Sequence, residues 1–186
     1  MTQEQRFDSI GKVDTFELRR YHPCVIAEVS VKSDFESAGS SGFRPLFGYI
    51  AGANHSRAKV AMTSPVIQEP GQEITVSGSA LESDDGQIHK IGFVMPAEYS
   101  NATELPAPND SRVTLKAIPE HLAIVDRFSG RWSVSIYAKR LQQLNEAALQ
   151  AGYEPAGQAR FARFDPPYTP WFMRRNEIQL PVRKVD

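Results

Sequence analysis

The sequence predicts an α+β fold, either a twisted antiparallel β-barrel or a strongly curved sheet, built from two pseudo-repeated halves and flanked by two helices. Three observations carry this. Val25, Ala27, Val29 and Val31 alternate with Ile26, Glu28 and Ser30, the period of an extended strand. Two other segments space their apolar residues by three and four, at Phe43, Leu46, Phe47 and Ile50 and again at Val134, Tyr137, Leu141, Leu144 and Ala148, the period of a helix face. The strand pattern then returns, Ala27 matching Ala123 and Val29 matching Val125, an offset of 96 residues. One domain over residues 1–186 is expected, with halves at about 13–95 and 112–182.

From Thr15 to Val31, Phe16 and Leu18 lead through Tyr21-His22-Pro23 into the alternating run, which predicts two strands kinked at Pro23. Ser33-Asp34 offers N-cap chemistry, but Gly39, Gly42 and Pro45 interrupt the next stretch, so the predicted helix covers residues 43–51 and stops at Gly52. Lys59 to Val66 is extended. Ile74, Val76, Gly78 and Ala80 alternate, Asp84-Asp85-Gly86 reads as a turn, and Ile88 to Met95 as the returning strand. Pro96 to Asp110 is a linking loop. Val113 and Leu115 lead through Pro119 to Leu122-Ala123-Ile124-Val125, and the second helix comes after Ser129-Gly130 and ends at Gly152, a favourable C′ residue.

The last segment is a loop with Pro166, Pro167 and Pro170 that carries Tyr168, Trp171 and Phe172 into a charged, alternating strand. Proline fixes φ and removes a backbone donor, so this is a stiff surface loop rather than a central strand. Its aromatics are either a contact surface or a lid folded over the protein's own core.

Composition bounds the class. With 41% hydrophobic residues, 10% aromatics and a formal charge of -1, the chain has a real core and no global field to attract nucleic acid or an anionic membrane. Residues 69–120 hold nine acidic against three basic side chains and residues 153–186 six basic against four acidic, a mild asymmetry that a solvated surface explains. Cys24 is the single cysteine, which excludes an internal disulfide and a cysteine-based zinc cluster. The start, Met1 to Arg6, lacks the apolar core of a signal peptide, and no segment approaches the ~20 apolar residues of a membrane helix. A cytoplasmic protein without nucleic-acid or membrane partners is expected, as a monomer or weak dimer. No phosphate loop, His-x-x-x-His or Gly-x-Ser-x-Gly is present.

Four ordered segments, Phe16-Glu17-Leu18-Arg19-Arg20-Tyr21 with Pro23, Lys59 to Val66, Phe93-Val94-Met95-Pro96 with Leu105-Pro106 and Pro108, and Asp165-Pro166-Pro167 to Arg174-Arg175-Asn176-Glu177-Ile178, together resemble the SOUL/haem-binding protein family. The match runs from about Phe16 to Leu180. The resemblance implies a twisted β-barrel with two helices and internal two-fold character, and it extends to bacterial effector-binding domains of the gyrase-inhibitory type. It further implies haem or another tetrapyrrole in a shallow apolar groove between the first helix, at Phe43, Leu46, Phe47 and Ile50, and the loop Tyr168 to Phe172 with Trp171.

A porphyrin is a flat apolar disc with two carboxylates on one edge, so it needs aromatic walls and one or two cations. Burying about 300 Å² of apolar surface gives about 7 kcal/mol before association costs, so binding needs no axial protein ligand. Lys59, Arg57 and Arg174 are candidate carboxylate partners, although alternation along the strand places Arg174 and Arg175 on opposite faces, with at least one paired to Glu177 or a loop carbonyl. Where some family members carry His before the Tyr of the first motif, this chain has Arg20, so the iron-ligand candidates are His22 and His55, each read first as an ordinary surface histidine. Met62 and Met173 read as packing residues. Two alternatives stand beside non-catalytic binding. One is an effector-binding domain acting through a protein partner, and the other an enzyme for a small apolar substrate, with Glu17 or Glu98 as its carboxylate.

Overall fold

The computed structural model describes residues 3–71, 87–166 and 168–185. Its strands are β1 (Gln3–Glu4), β2 (Phe7–Val13), β3 (Phe16–Tyr21), β4 (Cys24–Ser33), β5 (Thr63–Ser64), β6 (Val66–Glu69), β7 (Gln87–Val94), β8 (Thr114–Ile118), β9 (His121–Phe128), β10 (Tyr153–Pro155), β11 (Arg160–Arg163) and β12 (Asn176–Lys184). Helices α1 (Phe35–Ile50) and α2 (Val134–Gln150) come after β4 and β9. The predicted strand through Ile74 to Ala80 and the turn at Asp84 to Gly86 lie outside the described residues.

The main sheet runs β2-β3-β9-β12-β11-β6-β7-β4-β8, all antiparallel, with β10 added to the far end of β12. From β3 to β8 this order is palindromic. β3 pairs with β9 while β8 pairs with β4, so each half lends its first strand to the other, and β6 pairs with β11 where the halves join. The expected barrel is not closed. Among the described residues no pairing links β2 to β8, and the edges show why: β2 is bulged between Ser9 and Gly11 and exposed along most of its length, and β8 has only five residues.

Both helices cover one face of the sheet. Leu18, Ile124, Ile178, Leu180 and Phe161 pack with Tyr137, Leu141 and Leu144 of α2, while Val25, Ala27, Val29, Ile91 and Phe93 pack with Leu46, Tyr49 and Ile50 of α1. The residues between them point the other way. Yet Tyr21, Ile26 and Val94 there are also buried, in clusters of their own. The sheet therefore curls over its second face, where β1 pairs with β5 as a short strap.

The first helix starts eight residues before the sequence predicts. Asp34 caps it, its Oδ1 accepting from the Ser37 amide at 2.7 Å, and Pro45 sits inside it. Gly39 and Gly42 are part of the reason. A Cβ on Gly42 would lie 2.5 Å from Ile91 Cβ, so the glycine lets the helix lie close on β7. Tertiary packing of Phe35, Ala38 and Leu46 offsets poor local propensity. The second helix has the expected place, with the Ser133 hydroxyl accepting from the Ile136 amide and Gly152 just beyond its end at φ +76.

Candidate functional site

The close approach of α1 to β7 sets the phase of the helix, and that phase divides the four helix residues expected to line a groove. Leu46 and Ile50 lie in the core beneath α1 and support it from below. Phe43 and Phe47 lie at the flank, 36% and 49% exposed, their rings stacked at 5.6 Å with planes 13° apart. Phe43 also meets Phe93 of the sheet edge-on at 5.3 Å, which holds the pair upright. A flat aromatic face results.

The other element expected to line the groove is the loop between β11 and β12. It is closed by its own bonds: the Phe164 amide donates to the Arg175 carbonyl at 3.2 Å, the Arg175 amide to Asp165 at 2.6 Å, and Arg174 Nε to the Thr169 carbonyl at 2.7 Å. A single 3-10 turn, Trp171–Met173, presents its side chains outward. Tyr168 is almost fully exposed, and Trp171, Phe172 and Met173 are at least half exposed. Trp171 and Phe172 pack edge-to-face at 5.7 Å, and the Arg131 guanidinium lies 5.6 Å from the Trp171 ring centre. The loop turns its aromatic side chains to solvent and is not a lid folded over the core.

Sheet register links the loop to the helix. Asn176, Arg163, Val66, Phe93 and Ala27 form one row across β12, β11, β6, β7 and β4. The loop springs from Arg163, and the same Arg163 lies under Gly39 of α1. Phe43 is one helical turn further along.

Other expected site residues fall elsewhere. Lys59 and Arg57 are exposed beyond the end of α1. His55 is in the same exposed turn, its amide bonded to the Ala107 carbonyl at 2.9 Å. His22 is on the bend between β3 and β4, its Nε2 3.0 Å from Asp8. Met62 and Met173 are exposed rather than packed in the core. Glu98 is exposed in its loop, and Glu17 is bound by Arg19 at 2.5 Å. Among the described residues no group of three or more His, Cys, Asp or Glu could hold a metal ion.

The charged end motif works on the sheet's second face. Glu177 is fully buried and accepts from Arg19 at 2.9 Å and Arg175 at 2.8 Å, while Arg19 also reaches the Tyr21 hydroxyl at 3.0 Å. Arg175 continues to Glu4 of the strap at 2.9 Å. Burial works against the charge on Arg19, but Tyr21, Glu17 and Glu177 outweigh it and hold its pKa above the ordinary value. Burial alone would raise the Glu17 carboxyl; the hydrogen bonds from Arg19 and Ser9 and the charges of Arg19 and Arg127 together more than compensate and hold it below. Sequence reasoning foresaw the Glu177 and carbonyl partners of the two arginines but not Arg19, whose partner is 158 residues away. A separate open depression of about 400 Å³ is lined by Asp126, Arg140 and Glu146, and its Arg140–Asp126 pair is already made at 2.9 Å.

Comparison with known proteins agrees with these features. The family model described as SOUL heme-binding protein matches residues 2–181. The chain belongs to that family. It is similar to "Heme-binding protein 2" of Mus musculus, 27% identical over 174 residues, with 88% of this chain and 80% of the mouse protein aligned. It is also similar to "Heme-binding protein 1" of Xenopus laevis, 28% identical, with 94% and 88% aligned. Among solved structures, the C-terminal domain of EcmrR shares the fold at a TM-score of 0.64 and 15% identity, with 96% of this chain and 99% of that one covered. A hydrolase from Listeria innocua shares it at 0.62 and 13%, with 90% and 91% covered. Among the described residues no helix is long and apolar enough to cross a membrane.

Proposed function

We propose that this SOUL protein binds haem or a related tetrapyrrole without catalysing a reaction on it, in the groove between α1 and the aromatic loop. Buffering, transport or sensing are the roles this serves. The observation that carries the reading is the pair of exposed aromatic faces, Phe43 with Phe47 and Trp171 with Phe172, flanking the root of the loop. Isolated apolar side chains on a surface mean little, but clustered ring faces on a braced support favour a planar guest. Family membership and two relatives named heme-binding proteins support the same reading.

The residues fit the ring better than the metal. Four aromatics supply walls, Tyr168 stands at the tip, and Arg174 supplies charge at the loop, with Lys59 a more distant candidate beyond α1. His22 is engaged by Asp8 and His55 lies past the helix end, so the ring rather than iron ligation supplies the affinity. Haem, when bound, would bring a redox-active iron; the chain's own part is to hold the disc and shield one side from water. The protein does this as a monomer or weak dimer.

Titration with hemin should give a Soret shift that saturates at one equivalent. Trp171→Ala and Phe47→Ala should each weaken binding about tenfold while leaving the melting temperature unchanged, because both side chains are about half exposed. Uptake that does not saturate, or that neither substitution changes, would overturn the reading.

A further inference from the structure

Arg163 is a cation at the root of the aromatic loop, beneath α1, and no carboxylate among the described residues matches it. Its guanidinium lies 3.6 Å from the centre of the Trp132 ring and donates to Gln68 Oε1. It is so near α1 that a Cβ on Gly39 would sit 2.5 Å from its terminal nitrogen. Burial pulls its pKa down to about 10, with Tyr137 opposing and Arg174 adding to the effect. Arg19, Arg160 and Arg175 are largely buried too, and each has a carboxylate within 3 Å. Among the described residues Arg163 has none.

Its neighbours are also incomplete. The Nε of Arg163, the Nε1 of Trp132 and the hydroxyl of Tyr137 are all shielded without a hydrogen-bond partner, and the Trp132 and Tyr137 rings are in contact at 4.2 Å. Two of these atoms can only donate, and the third can donate. A buried polar group left unpaired costs about 1–3 kcal/mol, so donors around one unmatched guanidinium describe a place that an anion completes.

We propose that Arg163 is the anion anchor of the groove and that it selects a ligand with a free carboxylate on the edge turned toward α1 and the root of the loop. This rests on the tetrapyrrole reading above and narrows it to porphyrins with acid side chains. A guanidinium suits the task, since its planar fork takes a carboxylate through two parallel bonds and keeps its charge when partly buried. The residue is half-buried rather than enclosed. Gly39 lets the guanidinium lie flat against α1, and Phe43 stands one turn, about 6 Å, further along the helix, where the attached ring would lie.

Protoporphyrin IX and its dimethyl ester share one ring system and differ in charge at the acid edge. Each is titrated, in matched co-solvent, into the wild-type chain, Arg163→Gln and Gly39→Ala, the last of which pushes the guanidinium aside without removing it. The wild type should bind the acid at least tenfold more tightly than the ester. Both variants should lose that preference by weakening the acid alone. Equal, saturable binding of both porphyrins by the wild type overturns the anchor and leaves the groove reading intact. A preference that survives in the variants also overturns it, since the guanidinium is then structural. Saturable binding of neither porphyrin overturns the tetrapyrrole reading and the anchor with it.

Discussion

Glu177 holds the sheet's second face together because it neutralises two arginines at once. Removing its charge leaves Arg19 with Glu17 and Arg175 with Glu4, both less buried partners. Glu177→Gln should therefore cost about 3 kcal/mol, measured by urea denaturation, since loss of one partner strands a buried charge. Glu17 adds a pH dependence of known sign. Its folded pKa lies below the ordinary value, so its contribution is complete above the unfolded pKa and is lost as pH falls through the folded one. Stability measured from pH 7 downward should fall below about pH 4.5, and Glu17→Gln should flatten part of that fall. The sequence foretells a Glu177 or loop-carbonyl partner for Arg174 and Arg175, and both lie just before β12, the first on the Thr169 carbonyl and the second on Glu177. It does not show Arg19 as their counterpart, because only the β3–β9–β12 pairing brings that residue across.

At the scale of elements, α1 shows where local pattern runs out. Spacing of apolar residues predicts its second half and Asp34 foretells its cap, but two glycines and a proline hide the turns between. Their logic is in the partners. Gly42 abuts the Cβ of a core isoleucine, which cannot move, whereas Gly39 abuts the end of an arginine, which can. Gly42→Ala should destabilise by about 1–3 kcal/mol and Gly39→Ala by distinctly less, a difference that paired thermal melts would resolve. Helix propensity alone ranks the two substitutions as equally favourable. The aromatic loop is the opposite case. Its prolines and outward rings are legible directly, because a segment that cannot join a sheet must place its side chains at the surface.

The whole molecule depends on a strap that no local signal marks. Gln3–Glu4 pair with Thr63–Ser64, Gln5 is buried with its amide on Cys24 Sγ at 3.3 Å, and Glu4 holds Arg175. A residual cavity of about 20 Å³ lies between the strap, Cys24 and Met95. Burial pushes the Cys24 thiol up to about 11, so at neutral pH it is a poor nucleophile. Native protein should label slowly with Ellman's reagent, and removal of residues 1–5 should speed labelling well before global unfolding. Equal rates would show that the strap does not guard this face.

Strands β3, β4, β7, β8, β9 and β12, the second helix, the proline-rich aromatic loop and the family were legible in the chain alone, because each depends on residues within one or two turns of each other or on short motifs in a fixed order. Tertiary structure alone decided that the sheet stays open, that α1 reaches back to Phe35, that Leu46 and Ile50 are core, and that Arg163 lies beneath α1 at the root of the aromatic loop. Those outcomes depend on pairings between segments roughly a hundred residues apart, whose register and close approach are settled by packing the two halves against each other.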